Sequence, residues 1–257
     1  MKINKSGWAS IQQHKAFTLS EILIALVIIG VIATITIPPL VQKQQEQQTV
    51  VALKKAYSTL SNAYTLAVQE NGTPENWNLT ATDSADGANN MLTILAPYLN
   101  ITKNCGLNAG CFPNLNYLSL DGSTGSYINL NNSPLYSKVK LNDGSLLGFR
   151  VRDANCNSQR GSTLQLQTVC AMVYVDNNGD KNPNKIGVDT FVFYITKFGV
   201  VPTGTSGETA QIFTSTCNKS NVTIDNGFAC AAWVIYNENM DYLHCSDLAW
   251  NGKTKCD

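Results

Sequence analysis

From Ile22 to Ile37 the chain carries no charge and only two hydroxyls, Thr34 and Thr36, and a carboxylate, Glu21, stands directly before this run. The apolar stretch from Phe17 to Leu40 is long enough, at about 1.5 Å of rise per residue, to cross a hydrocarbon core of roughly 30 Å as one helix. An acid at the edge of such a segment costs on the order of a few kcal/mol, so Glu21 is expected to have a partner and a task. Lys2, Lys5, His14 and Lys15 precede the run and no acid does. The positive-inside tendency then keeps the N-terminus cytoplasmic and places the chain beyond Leu40 outside the cytoplasm. The competing reading is a secretory signal, but Ala33-Thr34-Ile35 is a poor small-x-small cleavage site and an acid at the head of an h-region is unusual.

The residues at the head of the run, Lys15-Ala16-Phe17-Thr18-Leu19-Ser20-Glu21-Ile22-Leu23, resemble the processing motif of type IV pilins and of the pseudopilins of type II secretion. The resemblance covers about the first quarter of the chain, and Ala16 stands where the family usually has glycine. It implies that a prepilin peptidase cuts between Ala16 and Phe17 and methylates the new amine of Phe17. It also implies a structural subunit rather than an enzyme, with Glu21 pairing with the Phe17 amine of a neighbouring subunit. The partners implied are the peptidase, further pilins or pseudopilins, the membrane and the inner-membrane assembly machinery. The implied location is the bacterial inner membrane, then a pilus or a periplasmic pseudopilus. Pilus and pseudopilus subunits share every feature legible here. A rival of another class is a monomeric, membrane-tethered binding protein, which would need neither the leader nor Glu21.

The expected organisation is a cleaved leader over 1–16, a transmembrane and assembly helix over 17–40, and an extracytoplasmic globular domain over 41–257. Beyond the polar stretch Gln42 to Gln48, the apolar residues Val50, Leu53, Tyr57, Leu60, Tyr64 and Ala67 recur at helical spacing and form one stripe. Asn71-Gly72 and Pro74 supply a stop. The helix therefore runs from Phe17 to about Glu70, and Pro38 and Pro39 are expected to kink or locally melt it.

The stripe needs a cover, and the sequence predicts an antiparallel sheet: Tyr136 to Leu141 and Ser145 to Val151 flank a hairpin at Asn142-Asp143-Gly144, with further strands over Leu164 to Val175 and Thr190 to Thr196. The fold class is α+β and pilin-like, a long N-terminal helix packed on this sheet. Thr73 to Ser133 reads as surface-covering loops with a short helix over Ala88 to Tyr98. Cys230 to Tyr236 fits either strand or helix by periodicity, and helix is favoured.

All eight cysteines lie beyond the membrane segment, and an even count in an oxidising location points to disulfides. Zinc is the rival, disfavoured because no Cys-x-x-Cys occurs and His14 and His244 are the only histidines. Proximity suggests Cys105 with Cys111, Cys156 with Cys170, Cys217 with Cys230, and Cys245 with Cys256. With 18 basic and 18 acidic residues there is no basic excess of the kind that nucleic-acid binding requires. The segment Asp176-Asn177-Asn178-Gly179-Asp180, with Asp189 beyond it, gathers hard oxygens around a glycine turn. Calcium is the cation such donors suit, with Asp176, Asn178, Asp180 and Asp189 as the expected ligands. A solvated turn is the plain alternative.

Overall fold

The structure, a computed structural model, describes residues 17–123 and 128–256. The chain divides into two units, residues 1–45 and 46–257. Helix α1, Leu19–Asn71, contributes to both with its 53 residues. In the first unit its apolar side chains are exposed all round, from Phe17 to Leu40, with only Ala33 half-buried. The expected local melting at Pro38 and Pro39 does not occur, because the helix continues through both. Nearby, the Thr34 hydroxyl donates to the Val31 carbonyl at 2.8 Å and the Thr36 hydroxyl to Ile32 at 2.9 Å, so these polar groups are satisfied within the helix.

In the second unit, the strands among the described residues are β1 (Ile101–Gly106), β2 (Ser137–Leu141), β3 (Leu146–Val151), β4 (Val169–Asp176), β5 (Thr190–Thr196) and β6 (Gly199–Pro202). They form one sheet in sequence order, antiparallel at every step. Side chains alternate between the two faces with a period of two, and each face has its own core. Phe149, Val173, Phe193 and Ile195 face the buried stripe of α1, which includes Leu53, Leu60 and Ala67. Tyr57 stacks on Phe193 with ring centroids 5.7 Å apart, and the Tyr64 hydroxyl donates to the carbonyls of Thr196 and Lys197 at 3.0 and 2.7 Å. On the opposite face Met172, Tyr174, Val192 and Tyr194 pack under Tyr117, Leu130, Tyr136 and Phe228. This is the α+β arrangement that the stripe and the strand pattern called for.

The 73–133 region therefore does more than cover the surface, since Trp77, Tyr117 and Leu130 are buried core residues and β1 lies within it. Helix α2 (Ala85–Leu95) is the short helix expected there, N-capped by the Ser84 hydroxyl. The region is tied down by Lys138, fully buried on β2, whose ammonium donates to the carbonyls of Leu107, Asn131 and Ser133 at 2.9, 3.1 and 2.9 Å. Leu164 to Thr168 is a turn rather than the start of a strand, with the Thr168 hydroxyl bonded back to the Leu164 carbonyl at 2.9 Å. The C-terminal region adds α3 (Phe213–Thr216) and α4 (Cys230–Asn237), the helix favoured by the sequence. Trp233 of α4 is fully buried and stacks on Phe213 at 4.1 Å between centroids, a core role. The four disulfides are Cys105–Cys111, Cys156–Cys170, Cys217–Cys230 and Cys245–Cys256, the near-neighbour pairs that proximity suggested.

Candidate functional site

Thr18 is the residue from which α1 starts: its carbonyl accepts the Ile22 N–H at 3.2 Å, the first helical hydrogen bond. Its hydroxyl oxygen accepts the Glu21 N–H at 3.3 Å, and the Glu21 carboxylate accepts the Thr18 N–H at 2.8 Å and the Thr18 hydroxyl at 2.7 Å. This reciprocal arrangement is a capping box, two otherwise orphaned donors at a helix N-terminus satisfied by one side-chain pair. All of the carboxylate's hydrogen bonds fall on Oε2, leaving Oε1 without one among the described residues. Thr18-Leu19-Ser20-Glu21 spells the capping-box pattern, a signal present in the sequence beside the processing motif.

Phe17 precedes the cap in non-helical chain and is largely exposed. The first helical hydrogen bond among the described residues falls on the Thr18 carbonyl, beyond the Ala16–Phe17 bond. Ala16 and the rest of the expected leader lie outside the described residues. C-terminal to the cap, a helix apolar on every side needs lipid or other apolar helices around it. Among the described residues α1 is the helix long and apolar enough to cross a membrane, judged by length and composition.

The structure brings three of the four expected calcium ligands together and leaves one apart. Asp176 Oδ2 accepts the Tyr117 hydroxyl at 2.6 Å, and Oδ1 accepts the N–H groups of Asn178 and Gly179 at 3.1 and 2.8 Å. Asp189 Oδ2 accepts from Asn184 N and from the Asn178 amide at 2.7 and 3.1 Å, while Oδ1 accepts Lys185 N at 2.7 Å. Asp180 instead lies at the surface, 3.6 Å from the Lys140 ammonium. Burial pushes the Asp176 carboxyl up to about 7, with the nearby Asp189 charge adding to the effect, and burial raises Asp189 as well. The amide oxygens Oδ1 of Asn178 and Asn184 are buried without a protein donor. Gly179 allows the turn: its φ is +67°, and a Cβ there would meet the Gly144 carbonyl oxygen at 2.9 Å. Among the described residues no three His, Cys, Asp or Glu side chains group as a metal site. His244 beside Cys245 is not a thiol with its base, because Cys245 is bonded to Cys256.

Residues 39–237 match a family of unknown function (DUF6613), and the chain belongs to that family. Residues 11–37 match the prokaryotic N-terminal methylation motif, the prepilin-type motif of type IV pilins and pseudopilins. No curated protein and no solved structure matched the chain.

Proposed function

We propose that a prepilin peptidase cuts this chain between Ala16 and Phe17 and methylates the new amine, and that the mature protein then polymerises through α1 into a type IV pilus or a type II secretion pseudopilus. Before assembly the chain sits in the bacterial inner membrane with its C-terminal domain outside the cytoplasm. The observation that carries this reading is one coincidence: residues 19–37 of the methylation motif lie on a helix exposed and apolar on every side, interrupted at its head by a single carboxylate. A helix of this kind exchanges lipid for the helices of other subunits at little hydrophobic cost. Glu21 gives that exchange a register, because its open Oε1 attracts the Phe17 amine of a neighbour and an unmatched carboxylate in apolar surroundings is penalised.

The role is structural, and the partners are the peptidase, other pilins or pseudopilins and the inner-membrane assembly machinery. A monomeric tether is the second reading, and it gives no task to the peptidase motif or to Glu21. The reading also includes calcium at the 176–189 loop, held by Asp176, Asn178, Asn184 and Asp189. Two buried carboxylates and two orphaned amide oxygens are donors of the right chemistry, and Asp180 stands outside that set. Mass spectrometry of the protein sheared from its native cell tests the main proposal. The expected N-terminus is methylated Phe17, and an intact Met1 start or a start beyond Ala33 would overturn it.

A further inference from the structure

On the sheet face opposite α1, Arg150, Met172 and Tyr194 stand side by side across β3, β4 and β5. They line a pocket of about 330 Å³ together with Arg152, Arg160 and Phe228. Gathering three guanidinium groups in one pocket works against their mutual repulsion, so the arrangement needs negative charge to balance it. Asp83 supplies part of it. Arg150 holds that carboxylate in a two-pronged grip at 2.7 and 2.8 Å, and Arg152 reaches it at 3.5 Å. Arg160 has no ion pair within 4 Å among the described residues, and the only acid on the pocket wall is Asp225. Glu208 lies behind the wall, accepts from the Tyr194 hydroxyl at 2.6 Å and from the N–H groups of Gly204 and Gln211 at 2.6 and 3.1 Å, and is close enough to feel the Arg160 charge.

The Nε atoms of Arg152 and Arg160 are buried and have no hydrogen-bond acceptor among the described residues. Buried charged donors left unpaired are costly, and a guanidinium edge presents its N–H groups at the spacing of two carboxylate oxygens. Arg160 is also held ready. Its backbone N–H donates to the Leu166 carbonyl at 2.6 Å, its carbonyl accepts Thr209 N at 2.8 Å, and the loop that carries it is fixed to β4 by Cys156–Cys170. Between the cations the wall is apolar or aromatic, formed by Met172, Tyr174, Phe228 and the half-exposed Ile224. The volume falls in the range usual for small-molecule sites.

We propose that this pocket binds a small carboxylate with an apolar or aromatic body, its carboxylate on Arg160 and Arg152 and its body against Met172, Tyr174 and Phe228. A carboxylate offers two acceptors for the two unpartnered guanidinium donors, and an apolar body matches the wall. Every residue of this site lies in the 46–257 unit, outside the processing motif at 11–37.

Equilibrium dialysis of phenylacetate against the full chain in neutral-detergent micelles tests it, with phenylacetamide and phenyl phosphate as the neutral and dianionic counterparts. Phenylacetate is expected to bind saturably and phenylacetamide at least roughly tenfold more weakly, the loss of one charge-assisted hydrogen bond. Arg160→Gln should weaken phenylacetate binding by a similar factor, and Arg160→Lys, which keeps the charge and loses the two-pronged edge, should recover only part of it. Ile224→Trp, which fills the pocket from its rim and alters no charge, should weaken binding even if Arg160→Gln folds poorly. Absence of saturable binding, equal binding of the amide, tighter binding of phenyl phosphate, or a folded Arg160→Gln protein that binds like the wild type would each overturn the proposal.

Discussion

Thr18 and Glu21 hold each other at the head of α1, the carboxylate taking the Thr18 N–H at 2.8 Å and the Thr18 hydroxyl taking the Glu21 N–H at 3.3 Å. The same side chain that is proposed to recognise a neighbouring subunit therefore also caps its own helix. The two roles use different chemistry. Capping needs an acceptor and accommodates glutamine as well as glutamate, whereas pairing with an amine needs the charge.

Glu21→Gln should accordingly keep the helix start and lose assembly, while Thr18→Ala should weaken the cap and keep assembly. Quantifying sheared fibres against total membrane protein by immunoblot separates the two. Wild-type fibre levels in Glu21→Gln would end the charge-pairing account, and a Thr18→Ala defect as deep as that of Glu21→Gln would transfer the role to the cap.

The buried stripe of α1 gives a second prediction. Leu53 is fully buried against the sheet and Leu60 nearly so, whereas Val51, on the far side of the helix, is 67 % exposed. Leu53→Ala and Leu60→Ala should each cost about 2–5 kcal/mol, because packed neighbours only partly close the space left behind. Val51→Ala should stay within about 0.5 kcal/mol of the wild type. Urea unfolding of the three variants decides it, and a Leu53→Ala midpoint equal to that of Val51→Ala would mean the helix does not pack on the sheet as described.

Glu208 sets the sign of a pH dependence. Burial pushes its carboxyl from the ordinary 4.5 up to about 7, opposed by its hydrogen bonds from Tyr194, Gly204 and Gln211. A carboxyl raised on folding holds its proton more tightly in the folded chain. Its contribution is most favourable below the unfolded pKa and declines as pH rises from about 4.5 to about 7, by on the order of 3 kcal/mol at most. Asp83, held low chiefly by its hydrogen bonds from Arg150, acts in the opposite sense and at lower pH, where its protonation removes stability. Unfolding midpoints between pH 5 and 7.5 should therefore fall in the wild type and fall less in Glu208→Gln. The raised Asp176 keeps part of the slope. An unchanged slope in Glu208→Gln would show that this carboxyl does not titrate there.

Much of the fold is legible in the sequence because it is periodic or local. The α1 stripe, four strands, α4 and the four short-range disulfides each leave a pattern within a few residues. β1 escapes because it is an edge strand with Thr102, Lys103 and Asn104 exposed and two register irregularities, so no apolar alternation marks it. β6 has only four residues. Leu164-Gln165-Leu166-Gln167 imitates a strand by alternation, yet the backbone turns, with Gln167 N donating to the Thr163 carbonyl at 3.0 Å. The arginine pocket leaves no sequence signal at all, since only the register of β3, β4 and β5 sets Arg150, Met172 and Tyr194 in one row. The 176–189 loop reads as four expected ligands in sequence, and the fold places Asp180 at Lys140 while bringing Asn184, at φ of +50°, to Asp189.

That separation fixes the last prediction. Asp176 and Asp189 are both buried carboxylates, and the charge of Asp189 raises Asp176 further. A cation beside them would relieve the repulsion, and the orphaned Oδ1 atoms of Asn178 and Asn184 would gain a partner. Weak extracellular calcium sites have dissociation constants of about 10⁻⁴–10⁻³ M, so millimolar calcium suffices to populate one and to raise the melting temperature by mass action. The rise should survive Asp180→Ala, because Asp180 lies out at Lys140, and should be lost in Asn184→Ala, which removes a donor oxygen and no charge. Loss of the effect in Asp180→Ala would put the ligand set in the wrong place. Equal melting temperatures in millimolar calcium and in chelator would leave the hydrogen bonds from Tyr117, Asn178 and Gly179 as what holds Asp176, with no ion required.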